Sequence, residues 1–343
     1  MTELSAGRPL ERPPHRVGRR TITLFDPERA DRQLSVELWY PAAGPKAPRT
    51  TYEVFPGVAF HSATAEHEAG AMAGTWPLVL FSHGRTGTRI AYSTLCEALA
   101  ARGAIVASCE HPGDALADWL VGDHSDDRTN EVNRVADAHL VLGALLRGHR
   151  AVPVDLLNAI HHDRVVLAGH SYGAFTAFAT AAGSRGVAPH EHIRAVIGYQ
   201  PYTRTMSDAL LGRVSVPALL VVSGQDRVAP PRVDAERPWA LLPGRPLWRL
   251  DLDEAGHQAA SDVALYAELA SHLPHLPDVV RAYLTHATDG ADPVEGRTWR
   301  DLMRVQLDAT WAFLQIVLNL DTDQGDDTVA RLDELEGVAL LRR

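Results

Sequence analysis

Three residue types that together make an oxygen nucleophile stand in order along the chain. Ser171 lies in Gly169-His170-Ser171-Tyr172-Gly173, Asp226 in Gly224-Gln225-Asp226, and His257 in Gly256-His257-Gln258. A serine hydroxyl attacks poorly at neutral pH, so it needs a histidine to take its proton and a carboxylate to hold that histidine in one tautomer. The order serine, acid, histidine is the one expected when a G-x-S-x-G turn closes a strand of a parallel sheet. Asp251, Asp253 and Glu254 compete with Asp226, which is preferred because it follows a strand end directly. His257 stands out among 17 histidines by its place in a glycine-containing loop after the last visible strand, while His170 is expected to pack beneath the turn.

Attack on a carbonyl also needs two N–H donors aimed at the developing alkoxide. The expected donors are the backbone N–H of Tyr172, next after the serine, and that of Arg85, after His83-Gly84. Tyr172, Tyr202, Gln200 and His83 are the expected substrate-pocket residues. No metal site is expected: His161 and His162 are adjacent, and His272 and His275 lack an acidic partner at zinc-site spacing. No cofactor is expected either, since neither G-x-G-x-x-G nor a P-loop occurs.

The elements that must position these residues are legible from apolar spacing. Val165 to Ala168 form a β-branched run into the glycine-flanked serine, and Ala174 to Ala179 continue as a helix, which is the strand, turn, helix order of a nucleophile elbow. Before it, Thr21 to Phe25 and Leu34 to Tyr40 read as a hairpin, and Leu78 to Phe81 and Ala104 to Cys109 as strands around a helix from Ala91 to Arg102. After it come strands Arg194 to Gly198, Pro217 to Ser223 and Leu247 to Leu252. That alternation predicts an α/β fold with a mostly parallel sheet covered on both faces and functional groups at the strands' carboxyl ends.

Residues 1–16 are expected to form a flexible arm and residues 17–343 one domain, with helices at Ser261 to Tyr283, broken by Pro274 and Pro277, and at Trp299 to Leu320. Ala43 to Trp76 and the polar segment Asp114 to Asn130 are expected as irregular rims of the binding cleft. The two cysteines, Cys96 and Cys109, read as buried small hydrophobes.

A net charge of −10, with 45% hydrophobic and 22% charged residues, describes an ordinary globular chain and argues against nucleic acid as a partner. No run reaches the roughly 18 apolar residues of a membrane span and the first residues do not read as a signal peptide, so a cytoplasmic location is expected.

The segments VELWYPA (Val36 to Ala42), PLVLFSHGRTGTR (Pro77 to Arg89), GHSYGA (Gly169 to Ala174) and GHQ (Gly256 to Gln258) together resemble the α/β-hydrolase superfamily. Within it the chain is similar, from about Val17 to Leu320, to serine esterases of the platelet-activating-factor acetylhydrolase type and to the bacterial group labelled predicted dienelactone hydrolases. The resemblance implies an α/β-hydrolase fold with a central sheet of about eight strands. It also implies cofactor-independent hydrolysis of a small-molecule carboxylic ester through an acyl-serine, with Ser171 and His257 in the family's roles. In animal members the acid follows the strand after the elbow, where this chain has Gln200-Pro201-Tyr202. Its position at Asp226, within PALLVVSGQDRVAP, resembles the cutinase-like polyester hydrolases instead. A thioesterase, lactonase or amidase would use the same triad, and a non-catalytic binding protein would use the same fold. A dienelactone-type enzyme calls for cysteine where this chain has Ser171.

Overall fold

A computed structural model describes residues 4–11, 14–30, 32–55, 57–184, 186–273, 278–288 and 297–343. Its strands are β1 (Leu4–Ser5), β2 (Arg16–Asp26), β3 (Arg32–Ala43), β4 (Arg49–Phe55), β5 (Val58–His67), β6 (Gly70–Ala71), β7 (Trp76–Ser82), β8 (Ile105–Cys109), β9 (Ile160–His170), β10 (Ile193–Tyr199), β11 (Ala218–Ser223), β12 (Leu247–Leu252) and β13 (Val338–Arg342). All join one sheet in the order β1-β5-β2-β3-β8-β7-β9-β10-β11-β12-β13, with β4 on β5 and β6 on β3. The expected fold class holds, with more strands than the eight expected.

The run from β8 to β12 is parallel throughout. Its strands are almost continuously apolar because helices cover both faces. Alternate residues serve opposite faces. Val79, Phe81, Val166 and Ala168 meet helices Ser93–Arg102 and Trp299–Val317, while Leu78, Leu80, Val165 and Leu167 meet helices Asp127–Leu146 and Tyr172–Ala182. From β7 the chain crosses to β8 on one side and then returns to β9 on the other. The loops leaving β7 and β9 therefore part at the carboxyl edge and open a crevice there.

Several expectations are corrected. Ala43 to Trp76 holds β4, β5 and β6, and its Tyr52, Phe55 and Phe60 are buried in the core. The run Thr50-Thr51-Tyr52-Glu53 alternates buried and exposed, the period of a strand, which its mixed composition hides. Asp114 to Asn130 contains helix Leu116–Val121 and the start of Asp127–Leu146. Within the expected arm, Leu4 and Ser5 pair with Phe60 and His61 of β5. The C-terminal part forms helices Val263–Ala270, Asp278–Thr288, Trp299–Val317 and Thr322–Asp333 before β13, the last helix and strand being unforeseen. Pro274, Pro277 and His275 lie outside the described residues. Cys96 and Cys109 are both buried and unpaired. No helix among the described residues is long and apolar enough to cross a membrane.

Candidate active site

Ser171 sits at φ +54°, ψ −120°, between the end of β9 and the first turn of helix Tyr172–Ala182. A non-glycine residue there costs about 1–3 kcal/mol and persists only where its surroundings impose it. Here the two glycines impose it. A Cβ on Gly169 would lie 2.2 Å from the Gly173 carbonyl oxygen, and one on Gly173 would lie 1.9 Å from that of Ser82, so strand and helix cross at a distance only glycine permits.

Asp226 and His257 reach the serine from the loops after β11 and β12. Those loops are joined: Gln225 N–H donates to the Ala255 carbonyl at 2.9 Å, and a Cβ on Gly224 would meet the Asp253 carbonyl oxygen at 2.6 Å. Asp226 Oδ1 accepts the N–H groups of Val228 and Ala229 at 2.9 and 2.7 Å, which leaves Oδ2 facing His257 Nδ1 at 2.7 Å. His257 Nε2 lies 2.9 Å from Ser171 Oγ. Since Nδ1 faces a carboxylate it carries the proton, and Nε2 is free to receive one from the serine. Burial alone would raise the Asp226 carboxyl, but the hydrogen bond and charge of His257 outweigh it and hold Asp226 below its ordinary value. Asp251 instead binds Arg249 at 2.8 Å, away from any histidine.

The loop after β7 runs against Ser171, a Cβ on Gly84 lying 3.3 Å from Ser171 Cβ. It is held from below by Arg134, a fully buried arginine. Its Nε donates to Asp114 Oδ2 at 2.7 Å and its Nη1 and Nη2 to the His83 and Gly84 carbonyls at 2.8 and 3.3 Å. Among the described residues, no carbonyl or side chain accepts the backbone N–H of Arg85 or of Tyr172. The Arg85 side chain pairs with Asp127 at 2.6 Å. Arg134 was not anticipated, although it shares a helix face with Asn130, Glu131, Val135, Ala138 and Val141, all buried. A cation on an apolar stripe is a readable signal of a buried ion pair.

A cavity of about 690 Å³ opens over Ser171 and His257. Its walls are Gly84 and Arg85 from the β7 loop, Leu116, Trp119 and Leu120 from the short helix, Val228 from the β11 loop, Val263, and Tyr283 from helix Asp278–Thr288. None of the four expected pocket residues lines it. Tyr172 is buried and stacks on Phe175, with centroids 5.2 Å apart, under the Arg85 guanidinium. Tyr202 meets Tyr172 edge-on at 5.8 Å. Gln200 is buried, donating to Ser223 Oγ at 2.9 Å. His83 is buried, its Nε2 accepting the His111 N–H at 3.1 Å and its Nδ1 donating to the Gly84 carbonyl at 2.7 Å. The cavity draws on the loops after β7, β8, β11 and β12, whereas Gln200 and Tyr202 follow β10, and the His83 and Tyr172 side chains are buried away from it. No residue of Ala43 to Trp76 lines it either, although Phe55 packs behind Tyr283 at 5.6 Å. Part of Asp114 to Asn130 does, through Leu116, Trp119 and Leu120. Among the described residues no group of three or more His, Cys, Asp or Glu side chains is placed to hold a metal ion.

Comparison with known proteins fits this fold. The family model for platelet-activating factor acetylhydrolase, isoform II, matches residues 23–139, which include the β7 loop and Arg134 but none of Ser171, Asp226 and His257. A ferulic acid esterase from Streptomyces cinnamoneus superposes with a TM-score of 0.67 at 20% identity, covering 92% of this chain and 93% of that one. The chain has an α/β-hydrolase fold. It is similar over its first part to the acetylhydrolase family and over nearly its whole length to the structure of an esterase. No curated protein matches its sequence. Within this hydrolase fold, the serine, acid and histidine occupy the carboxyl edges of β9, β11 and β12, the edge at which α/β folds bind ligands.

Proposed function

We propose that the protein hydrolyses a carboxylic ester through an acyl-serine intermediate on Ser171. The observation that carries the reading is the relay from Ser171 Oγ to His257 Nε2 at 2.9 Å and from His257 Nδ1 to Asp226 Oδ2 at 2.7 Å. His257 takes the hydroxyl proton as Oγ attacks the carbonyl carbon, and the carbonyl π pair becomes an alkoxide. The N–H groups of Tyr172 and Arg85 receive that charge, each worth roughly 3 kcal/mol of barrier. Collapse expels the alcohol with the proton from His257. Water then repeats the sequence on the acyl-serine, returning the free enzyme and a carboxylic acid.

Esters are favoured over amides and thioesters because the matched family and the structural neighbour are both named for ester cleavage. The largely apolar cavity supports a small-molecule substrate with a short to medium apolar acyl or alcohol group. A single sheet from end to end supports reading residues 17–343 as one domain. A binding protein on the same fold has no need of a strained serine in line with a histidine and a carboxylate. The test is a panel of p-nitrophenyl esters of increasing acyl length beside a matched thioester and anilide, run with the native chain and Ser171→Ala. Ester turnover lost in the variant supports the proposal, and turnover kept in the variant overturns it.

A further inference from the structure

Beside the triad, with Tyr92 and His170 reaching the floor of the same cavity, lies a largely buried run of hydrogen bonds that the mechanism above does not use. His170 Nε2 is 2.7 Å from the backbone carbonyl of His257, and its Nδ1 is 2.8 Å from Tyr92 Oη. Tyr92 Oη in turn accepts the backbone N–H of Gly84 at 3.1 Å. The direction of each bond is forced. A carbonyl oxygen only accepts, so His170 Nε2 carries a proton. Burial, with His257 close by, pushes the His170 imidazole down to about 3, so the ring is neutral and its Nδ1 is bare. That nitrogen accepts the Tyr92 hydroxyl proton, which leaves the phenol oxygen to accept from Gly84. The run thus reads in one direction, from Gly84 N–H through Tyr92 O–H and His170 N–H to the His257 carbonyl.

Its ends are what give it meaning. Gly84 immediately precedes Arg85, the proposed alkoxide donor, and His257 is the proposed base. His170 immediately precedes Ser171. Both Tyr92 and His170 are buried, at 3% and 1% exposure, and Tyr92 is clamped by Phe81 with ring centroids 4.8 Å apart. Arg134 reaches the β7 loop through the His83 and Gly84 carbonyls and the His83 ring, whereas this run joins Gly84 N–H to the base loop.

We propose that Tyr92 and His170 are positioning residues that fix the alkoxide-donor loop and the His257 loop to each other across the nucleophile. This deepens the triad reading and rests on it. A shift of about 1 Å in a reacting group costs about 10²-fold in rate, so loosening the two loops falls on kcat more than on substrate binding.

The experiment compares Tyr92→Phe, His170→Phe and His170→Gln with native protein, using one p-nitrophenyl ester. Ser171→Ala and Tyr52→Phe serve as controls. Tyr52 is a buried tyrosine whose hydroxyl bonds Trp39 and Glu97 outside the site, so its variant reports what loss of a buried phenol costs in stability alone. Tyr92→Phe and His170→Phe are expected to lower kcat by about tenfold or more with KM within about twofold. His170→Gln, whose amide can donate to the His257 carbonyl and accept from Tyr92, is expected to recover part of the loss. The proton resonance of His257 Nδ1–H should shift or broaden in the two phenylalanine variants and not in Tyr52→Phe. If both phenylalanine variants keep native kcat while Ser171→Ala is inactive, the positioning role is wrong and the triad stands. If Tyr92→Phe loses stability as Tyr52→Phe does with kcat unchanged in the folded fraction, the run is only structural and the proposal falls. If Ser171→Ala stays active, both readings fall together. Should Tyr92→Phe not fold, the His170 pair decides alone, by the presence or absence of rescue.

Discussion

At Ser171 the proposed chemistry and the backbone strain belong to one residue, and substitutions separate them. Ser171→Ala removes the hydroxyl but keeps a Cβ at φ +54°, whereas Ser171→Gly removes both. Glycine accepts that backbone without penalty, so the glycine variant is expected to be more stable than the alanine variant by about 1 kcal/mol, both being inactive. Urea denaturation of the two variants measures the difference; equal midpoints would mean the turn is unstrained. Asp226→Asn is expected to lower kcat by about 10³-fold or more, because an amide facing His257 Nδ1 favours the wrong tautomer. Asp251→Asn and Asp253→Asn should change kcat by less than about tenfold, Asp251 being occupied by Arg249. Steady-state kinetics of the three variants checks the ranking. The juxtaposition of Ser171, Asp226 and His257 was legible because each follows the carboxyl end of a strand within a few residues, where spacing locates it. Tyr172, Tyr202, Gln200 and His83 all stand at the sheet edge beside Ser171 but line no part of the cavity, because a place at that edge does not say which way a side chain turns. Tyr172 begins a helix whose direction carries its ring onto Phe175, away from the cavity.

Among the elements, the two expected cleft rims parted company. The β4–β5 pair seats Tyr52, Phe55 and Phe60 in the core, and its threonine-rich composition masked a strand whose partner is set by the tertiary fold. Helix Leu116–Val121 became the wall, its Leu116, Trp119 and Leu120 at the i, i+3, i+4 spacing of one helix face. Two truncations distinguish these roles. Phe55→Ala should cost about 3–5 kcal/mol of stability and leave the preferred acyl length unchanged. Leu120→Ala, at a residue 48% exposed, should cost little stability but shift the acyl-length profile or raise KM. Denaturation curves and the ester panel, run on both variants, report the two effects; a chain-length shift confined to Phe55→Ala would reverse the assignment of walls.

Over the whole molecule, the alternation of strand and helix made the parallel half of the sheet legible. The rest of the sheet was less so, since short strands such as β1, β6 and β13 exist only by pairing with neighbours distant in sequence. The same long-range joining gives the fold a pH dependence. Asp262, at the start of helix Val263–Ala270, is fully buried and accepts the Ser93 hydroxyl at 2.6 Å, tying the C-terminal helices to the first crossover helix. Burial pushes its carboxyl up to about 7. A folded-state value above the unfolded one means that the folded chain holds a proton the unfolded chain releases. That contribution is therefore complete below about pH 4 and is lost as pH rises through about 7, amounting to about 4 kcal/mol. Asp262→Asn keeps an acceptor for Ser93 and cannot ionise, so its Tm should fall less than the native Tm between pH 5 and 8; parallel falls would refute the assignment. The central claim, that Ser171 carries the acyl group between two half-reactions, is tested most directly by acid-quenching the protein during turnover of a slow p-nitrophenyl ester and weighing it intact. The account predicts a mass increase of one acyl group, mapped to the peptide holding Ser171 and absent in Ser171→Ala; turnover with no acyl mass on that peptide, or with the mass on another residue, would contradict it.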